Sequence, residues 1–231
     1  MKETLRGELA GLNPSYFAMV MATGIVSIAA SLSGMRLVAV ALFRLNIGLY
    51  AALAILYLAR LVLETGRFAS DLKDHNRGVG FFTTVAGTCV LGNQFIVIGG
   101  APRIAAALWL GGLALWCVLF YTIFTCLTVK PKKPPIEEGL HGGWLLSVVA
   151  TQSVATLGVM LAPSFPERRE GLLFLGAAMW LAGGMLYIWI IVLIFYRYTF
   201  FTLDPGHLTP PYWINMGAMA ISTLAGTGLV A

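Results

Sequence analysis

Seven stretches of about twenty apolar residues, with charges confined to the segments between them, constrain this chain more than any other feature. They fall at 14–33, 43–63, 78–99, 104–128, 142–161, 172–196 and 211–231, and no Asp, Glu, Lys or Arg lies in the middle of any of them. Each can cross roughly 30 Å of hydrocarbon as an α-helix. Backbone polar groups in lipid must be satisfied internally, which favours helices over irregular chain. Only 11% of residues are charged and the mean hydropathy is +0.84, whereas soluble domains carry about 25% charged residues. The expected fold is therefore an all-α integral membrane protein. The first stretch follows Lys2 and Arg6 and superficially resembles a signal peptide. Its apolar run is longer than the roughly 7–15 residues of a signal h-region, so it counts as the first span. Pro14 and the Pro210-Pro211 pair sit at span starts, where a missing N–H costs nothing.

The spans repeat. His75, His141 and His207 stand 66 residues apart, and each is soon followed by an aromatic that opens an apolar run: Phe81, Trp144 and Tyr212, with Tyr16 opening a fourth. Counting from those aromatics, position six is always small (Ala22, Gly87, Ala150, Ala218). Position seven is Thr23, Thr88, Thr151 and then Met219. A unit of about 65 residues equals two spans plus loops, so the chain reads as one transmembrane domain of helical hairpins at about 14–63, 78–128, 142–196 and 211–231. The last unit holds a single span, and the expectation is a chain cut short at its C-terminus.

Lys and Arg number ten in the segments on the side of the N-terminus and five on the other side. The positive-inside rule then puts the N-terminus, the three histidine loops and the start of every odd span in the cytoplasm, with the cell membrane, by expectation a bacterial inner membrane, as the location. Cys117 and Cys126 lie nine residues apart, on opposite faces of one helix, and no CxxC pattern occurs.

Polar residues alternate between spans. The odd spans hold Thr23, Ser27 and Ser31; Thr83, Thr84, Thr88, Asn93 and Gln94; Ser147, Thr151, Gln152, Ser153 and Thr156; Asn215, Ser222, Thr223 and Thr227. The even spans hold Asn46, Thr122 and Thr125, with bulky anchors such as Trp109, Trp116, Trp180 and Trp189. Unpaired polar groups are costly against lipid. The odd helices should be shielded by an outer ring of even ones, and four odd helices should be unable to satisfy all their polar groups alone. Hydroxyls and small residues could serve only to pack helices tightly, or they could line a water-filled conduit. The second reading accounts better for whole spans alternating. Its lining candidates are Thr23, Ser27, Thr84, Thr88, Gln94, Thr151, Gln152, Thr156, Asn215 and Thr223. A path without carboxylates, with a basic rim and helix N-termini aimed at it, favours anions over cations.

The segments NPSYFAMVMATGIVSIA (13–29), RGVGFFTTVAGTCVLGNQF (77–95) and PPYWINMGAMAISTLAG (210–226) resemble the tellurite-resistance/dicarboxylate transporter family. That family includes malate permeases, sulfite-efflux pumps and slow-type anion channels. The resemblance implies ten helices in five hairpins around a central pore, of which seven spans are present here, with odd helices lining the pore and usually a trimer. It implies transport of small anions or C4-dicarboxylates by a channel or facilitator. The family's occluding phenylalanine lies on a ninth helix that this chain does not contain, so no gate residue carries over.

His75, His141 and His207 occupy equivalent places in successive units. They read either as duplicated loop or cap residues or as a pH-responsive rim at the cytoplasmic mouth. A membrane enzyme or sensor using this rim is the rival class. Its only cluster is His75 with Asp71 and Asp74, among basic neighbours. No phosphate loop, dinucleotide fingerprint or metal-ligand spacing occurs. The expected partners are a small inorganic or organic anion and the lipid bilayer, with no nucleic acid, no metal and no cofactor, and an enzyme is not expected.

Overall fold

A computed structural model describes Gly7, residues 9–202 and residues 209–230. These contain seven helices long and apolar enough to cross a membrane: α1 (Pro14–Leu32), α2 (Arg36–Leu63), α3 (Gly78–Val97), α4 (Pro102–Val129), α5 (Gly142–Ser164), α6 (Pro166–Phe200) and α7 (Pro210–Val230). No strand occurs among the described residues. The all-α membrane fold expected from the apolar runs is the fold observed.

The repeat has a backbone signature. Each odd span opens with a four-residue 3-10 turn, Pro14–Phe17, Gly78–Phe81, Gly142–Leu145 and Pro210–Trp213, before continuing as an α-helix. The repeated aromatics Tyr16, Phe81, Trp144 and Tyr212 all lie in these turns. At the starts of α1 and α5 a side chain just upstream accepts from one of the orphan N–H groups that a helix start leaves, and before α3 one closes the preceding turn. Asn13 Oδ1 accepts from the Ser15 amide at 2.9 Å. Asp74 Oδ1 accepts from the amides of Asn76 and Arg77, both at 2.9 Å. His141 Nδ1 accepts from the Gly143 amide at 3.0 Å.

The even helices are longer than their apolar cores suggest. α2 begins at Arg36 rather than near residue 43, and α6 at Pro166 rather than near 172. The α1–α2 turn is short because Gly34 adopts φ +79°, and the α3–α4 turn because Gly100 adopts φ +59°. A side chain at either position would strain the backbone. At 1.5 Å per residue the 28 residues of α2 and of α4 reach about 42 Å. They therefore extend beyond the hydrocarbon or cross it tilted.

Packing separates two layers. α3 and α5 are the inner elements, with 89% and 94% of their apolar windows buried, whereas α2, α4 and α6 each have 22% buried. α1 packs on α3, α3 on α5 and α5 on α7, forming an inner arc, with α2, α4 and α6 packed outside it. The expected shielding of odd helices holds for α3 and α5. It does not extend to the ends of the arc, where α1 and α7 have 28% and 11% of their windows buried.

The outer helices are sewn to the arc by side chains that read as lipid anchors in the sequence. Trp109 Nε1 donates to the Val154 carbonyl at 3.0 Å, Trp116 Nε1 to Thr151 Oγ1 at 2.8 Å, and Trp180 Nε1 to the Ser222 carbonyl at 2.9 Å. Of the four tryptophans, Trp189 alone makes no hydrogen bond to a described residue, and it is 61% exposed. An indole N–H in hydrocarbon needs an acceptor, and the inner arc supplies it. Tyr50, Trp116 and Tyr187 form one clamp per unit, to Thr88 (3.1 Å), Thr151 (2.8 Å) and Asn215 (2.8 Å).

Arg60 and Arg197 hold the ends of α2 and α6 on the side where the odd spans start. Arg60, 1% exposed, pairs with Asp71 at 2.5 Å and donates to the Ala10 carbonyl at 3.1 Å. Arg197, 5% exposed, donates to the Leu140 carbonyl at 2.8 Å and to the Tyr212 hydroxyl.

Candidate functional site

The inner arc is open on one side, and its concave face forms a cleft of about 400 Å³. α1 contributes Ile25, Ile28, Ala29 and Leu32, α3 Val90 and Asn93, α5 Thr156, and α7 Gly217, Ala220, Ile221 and Leu224. Residues spaced three or four apart share a helix face, so each odd span presents one stripe to this cleft. On α1, α3 and α5 the same stripes continue one or two turns nearer the helix starts as Met21, Ala86 and Val149, which pack together with Ala218 of α7 in one apolar cluster. The cleft is thus lined almost wholly by apolar groups.

The hydroxyls predicted to be short of partners are mostly satisfied by their own helices. Thr88, Thr151, Ser153, Thr156 and Ser222 each donate to the carbonyl four residues back at 2.7–2.8 Å. Thr83, Thr84 and Ser147 donate to the carbonyl three residues back at 2.7–2.8 Å. The expectation that four odd helices cannot meet this need is corrected for these hydroxyls, because a helical Ser or Thr can return its proton to the preceding turn. It holds for the amides, since Asn93 Oδ1, Gln94 Nε2 and Gln152 Oε1 are buried without a partner among the described residues.

The ten lining candidates fall in different places. Thr156 borders the cleft. Thr88 and Thr151 are engaged by Tyr50 and Trp116 of the outer helices, and Asn215 by Tyr187. Gln94 Oε1 accepts from Asn46 Nδ2 of α2 at 2.6 Å, and Gln152 Nε2 donates to the Trp180 carbonyl of α6 at 3.1 Å. Ser27 donates to the Ala39 carbonyl of α2 at 2.8 Å. Thr84 is half-buried and bonded to the Phe81 carbonyl, Thr223 is exposed and bonded to the Met219 carbonyl at 3.0 Å, and Thr23 is half-buried. Asn93 lies on the cleft wall but outside that set of ten. The i, i+3 spacing from Val90 to Asn93 carries the signal for it once one cleft residue of α3 is known.

Of the three repeated histidines, His207 lies outside the described residues. The His75 ring lies 6.3 Å from that of Trp144, whose indole N–H donates to the Gly139 carbonyl at 2.9 Å. His141 caps α5 and lines a surface cavity of about 490 Å³ together with Asn76, Glu137, Glu138 and Arg197. Burial lowers the pKa of both imidazoles, reinforced at His75 by Lys130 and at His141 by Arg197. The carbonyls of Asn76 and His75 pull His141 partly back up, although its Nε2 makes no hydrogen bond of normal geometry. Both side chains thus favour the neutral form near neutral pH. No group of three or more His, Cys, Asp or Glu able to hold a metal occurs among the described residues.

The chain is 28% identical over 94% of its length to an uncharacterized transporter of Methanocaldococcus jannaschii, and 25% identical over 98% to a second from the same organism. It is 26% identical over 85% of its length to a sulfite efflux pump of Trichophyton rubrum. These alignments span 62%, 66% and 56% of the relatives' own lengths. Residues 11–231 match the family described as SLAC1, voltage-dependent anion channel. With nearly its whole length inside that match, and with seven apolar helices arranged as an inner arc and an outer layer, the chain belongs to the SLAC1 voltage-dependent anion channel family.

Proposed function

We propose that this chain forms the inner wall and outer brace of an anion pathway, and that small anions cross the membrane along the cleft bounded by α1, α3, α5 and α7. The observation that carries this reading is the cleft itself, faced by one stripe from each odd span in a family of anion channels. The cleft contains no charged side chain, so nothing in it would trap an anion by full charge, and conduction requires binding weak enough to release. The candidates Thr88, Thr151, Gln94, Gln152 and Asn215 act in this reading as fasteners between inner and outer helices, while Thr156 faces the path. The chain spans about two thirds or less of the length of the relatives it matches. The count of basic residues supports a cytoplasmic N-terminus, and the family resemblance supports a trimer.

Chloride, nitrate, C4-dicarboxylates and sulfite are the substrates to test first, sulfite because one relative is a sulfite efflux pump. The full-length protein, reconstituted in liposomes under opposed anion and cation gradients, should show a reversal potential that follows the anion. A reversal potential that follows the cation would defeat the proposal.

A further inference from the structure

The five asparagine and glutamine side chains within the spans are not equally placed. Asn46 is tied to Gln94, Gln152 to the Trp180 carbonyl and Asn215 to Tyr187. Asn93 makes no hydrogen bond to any described residue, although it is only 5% exposed and its Oδ1 is completely enclosed. Buried amides are normally paired, and an unpaired one in apolar surroundings is costly.

Asn93 also stands where a permeating species would pass. It lines the cleft opposite α7, and Thr156 is the other polar side chain there. The Thr156 proton is committed to the Gln152 carbonyl at 2.8 Å, so Thr156 offers the cleft only acceptor lone pairs. With the Asn93 oxygen enclosed, its NH2 group is the end left open to the cleft. A primary amide nitrogen has two donors and no charge. Such a group can replace part of an anion's hydration shell without holding the ion as an arginine or lysine would.

We propose that Asn93 is the side chain that contacts the permeating anion, donating from Nδ2, and that it sets the preference among anions. The inference rests on the anion pathway proposed above and names the contact within it.

The test uses the full-length protein in liposomes, with chloride and nitrate as probes. Asn93→Leu removes the donors, and Asn93→Asp replaces them with an acceptor of the same shape. Asn93→Leu should change the chloride-to-nitrate permeability ratio at least threefold. Asn93→Asp should lower anion flux at least tenfold and move the reversal potential toward the cation's. Because the ratio and the potential do not depend on the amount of protein recovered, a change in them is not explained by a lower yield. A second measurement uses the unmutated protein labelled at its asparagine side-chain nitrogens. The Asn93 NH2 resonance should move when gluconate is exchanged for chloride. A permeability ratio unchanged in both variants, or a resonance unmoved by chloride, would overturn the role of Asn93. Unmutated protein whose reversal potential follows the cation would instead overturn the anion pathway on which it rests.

Discussion

Gly142→Ala isolates one contact on which the repeat architecture depends. Gly142 opens the first turn of α5, where it meets the first turn of α7. A Cβ there would sit 2.5 Å from the Pro211 carbonyl oxygen, 2.5 Å from Tyr212 Cα and 2.6 Å from the Pro211 carbonyl carbon. These are backbone atoms, so no rotamer change can relieve the overlap. Carbon atoms prefer about 3.5–4.0 Å, so the start of α7 must move by about 1 Å. Overpacking of this kind costs about 1–3 kcal/mol. At about 2–4 °C per kcal/mol for a chain of this size, the apparent Tm of the solubilised protein should fall by about 2–12 °C. Gly87→Ala is the matched control, because its Cβ would meet Phe17 and Val20 of α1 at 3.4–3.5 Å, ordinary contact. There the gain in helix propensity, about 0.5–1 kcal/mol, should raise the apparent Tm by about 1–4 °C. Fluorescence-detected gel filtration after heating reads both. If Gly142→Ala melts with the wild type, or Gly87→Ala falls as far as Gly142→Ala, the close approach of α5 and α7 is wrong.

Three further outcomes follow from the same contacts. Asp71→Asn strips the carboxylate from Arg60, which is 1% exposed, and from the more exposed Arg77, 2.8 Å away on its other oxygen, and should cost about 3–5 kcal/mol; adding Arg60→Met should recover the part due to the buried Arg60 and leave the part due to Arg77, and a double variant no more stable than Asp71→Asn alone would contradict the Arg60 pairing. Trp116→Phe and Thr151→Val should each destabilise and should couple by about 0.6–1.7 kcal/mol in a double-mutant cycle, whereas simple additivity would mean that this clamp contributes nothing. His141 has a folded pKa below its ordinary 6.5, so protonation favours the unfolded chain: its contribution is complete above about pH 6.5 and is lost as pH falls from there toward the folded value. His141→Asn keeps an N-cap acceptor and should lose less apparent Tm than the wild type between about pH 7 and pH 5, and equal losses would place the pH sensitivity elsewhere.

Which segments are helices was legible in the sequence, because lipid leaves a long uncharged apolar run no other common form. The aromatics Tyr16, Phe81, Trp144 and Tyr212, picked out in the sequence by their spacing, each lie in the 3-10 turn that opens an odd span. The inner and outer layers followed from the distribution of polar residues, correctly for α3 and α5. Sequence could not say which face each polar side chain takes, because that depends on neighbours far along the chain. Thr151 reads as pore lining until Trp116 is found 2.8 Å away, and Trp109 reads as a lipid anchor until its N–H reaches the Val154 carbonyl. Nor could sequence set Asn93 apart from Gln94, its neighbour by one residue. One step along a helix turns a side chain by about 100°. That rotation puts the Gln94 amide against Asn46 of the outer layer and leaves the Asn93 amide on the wall of the cleft.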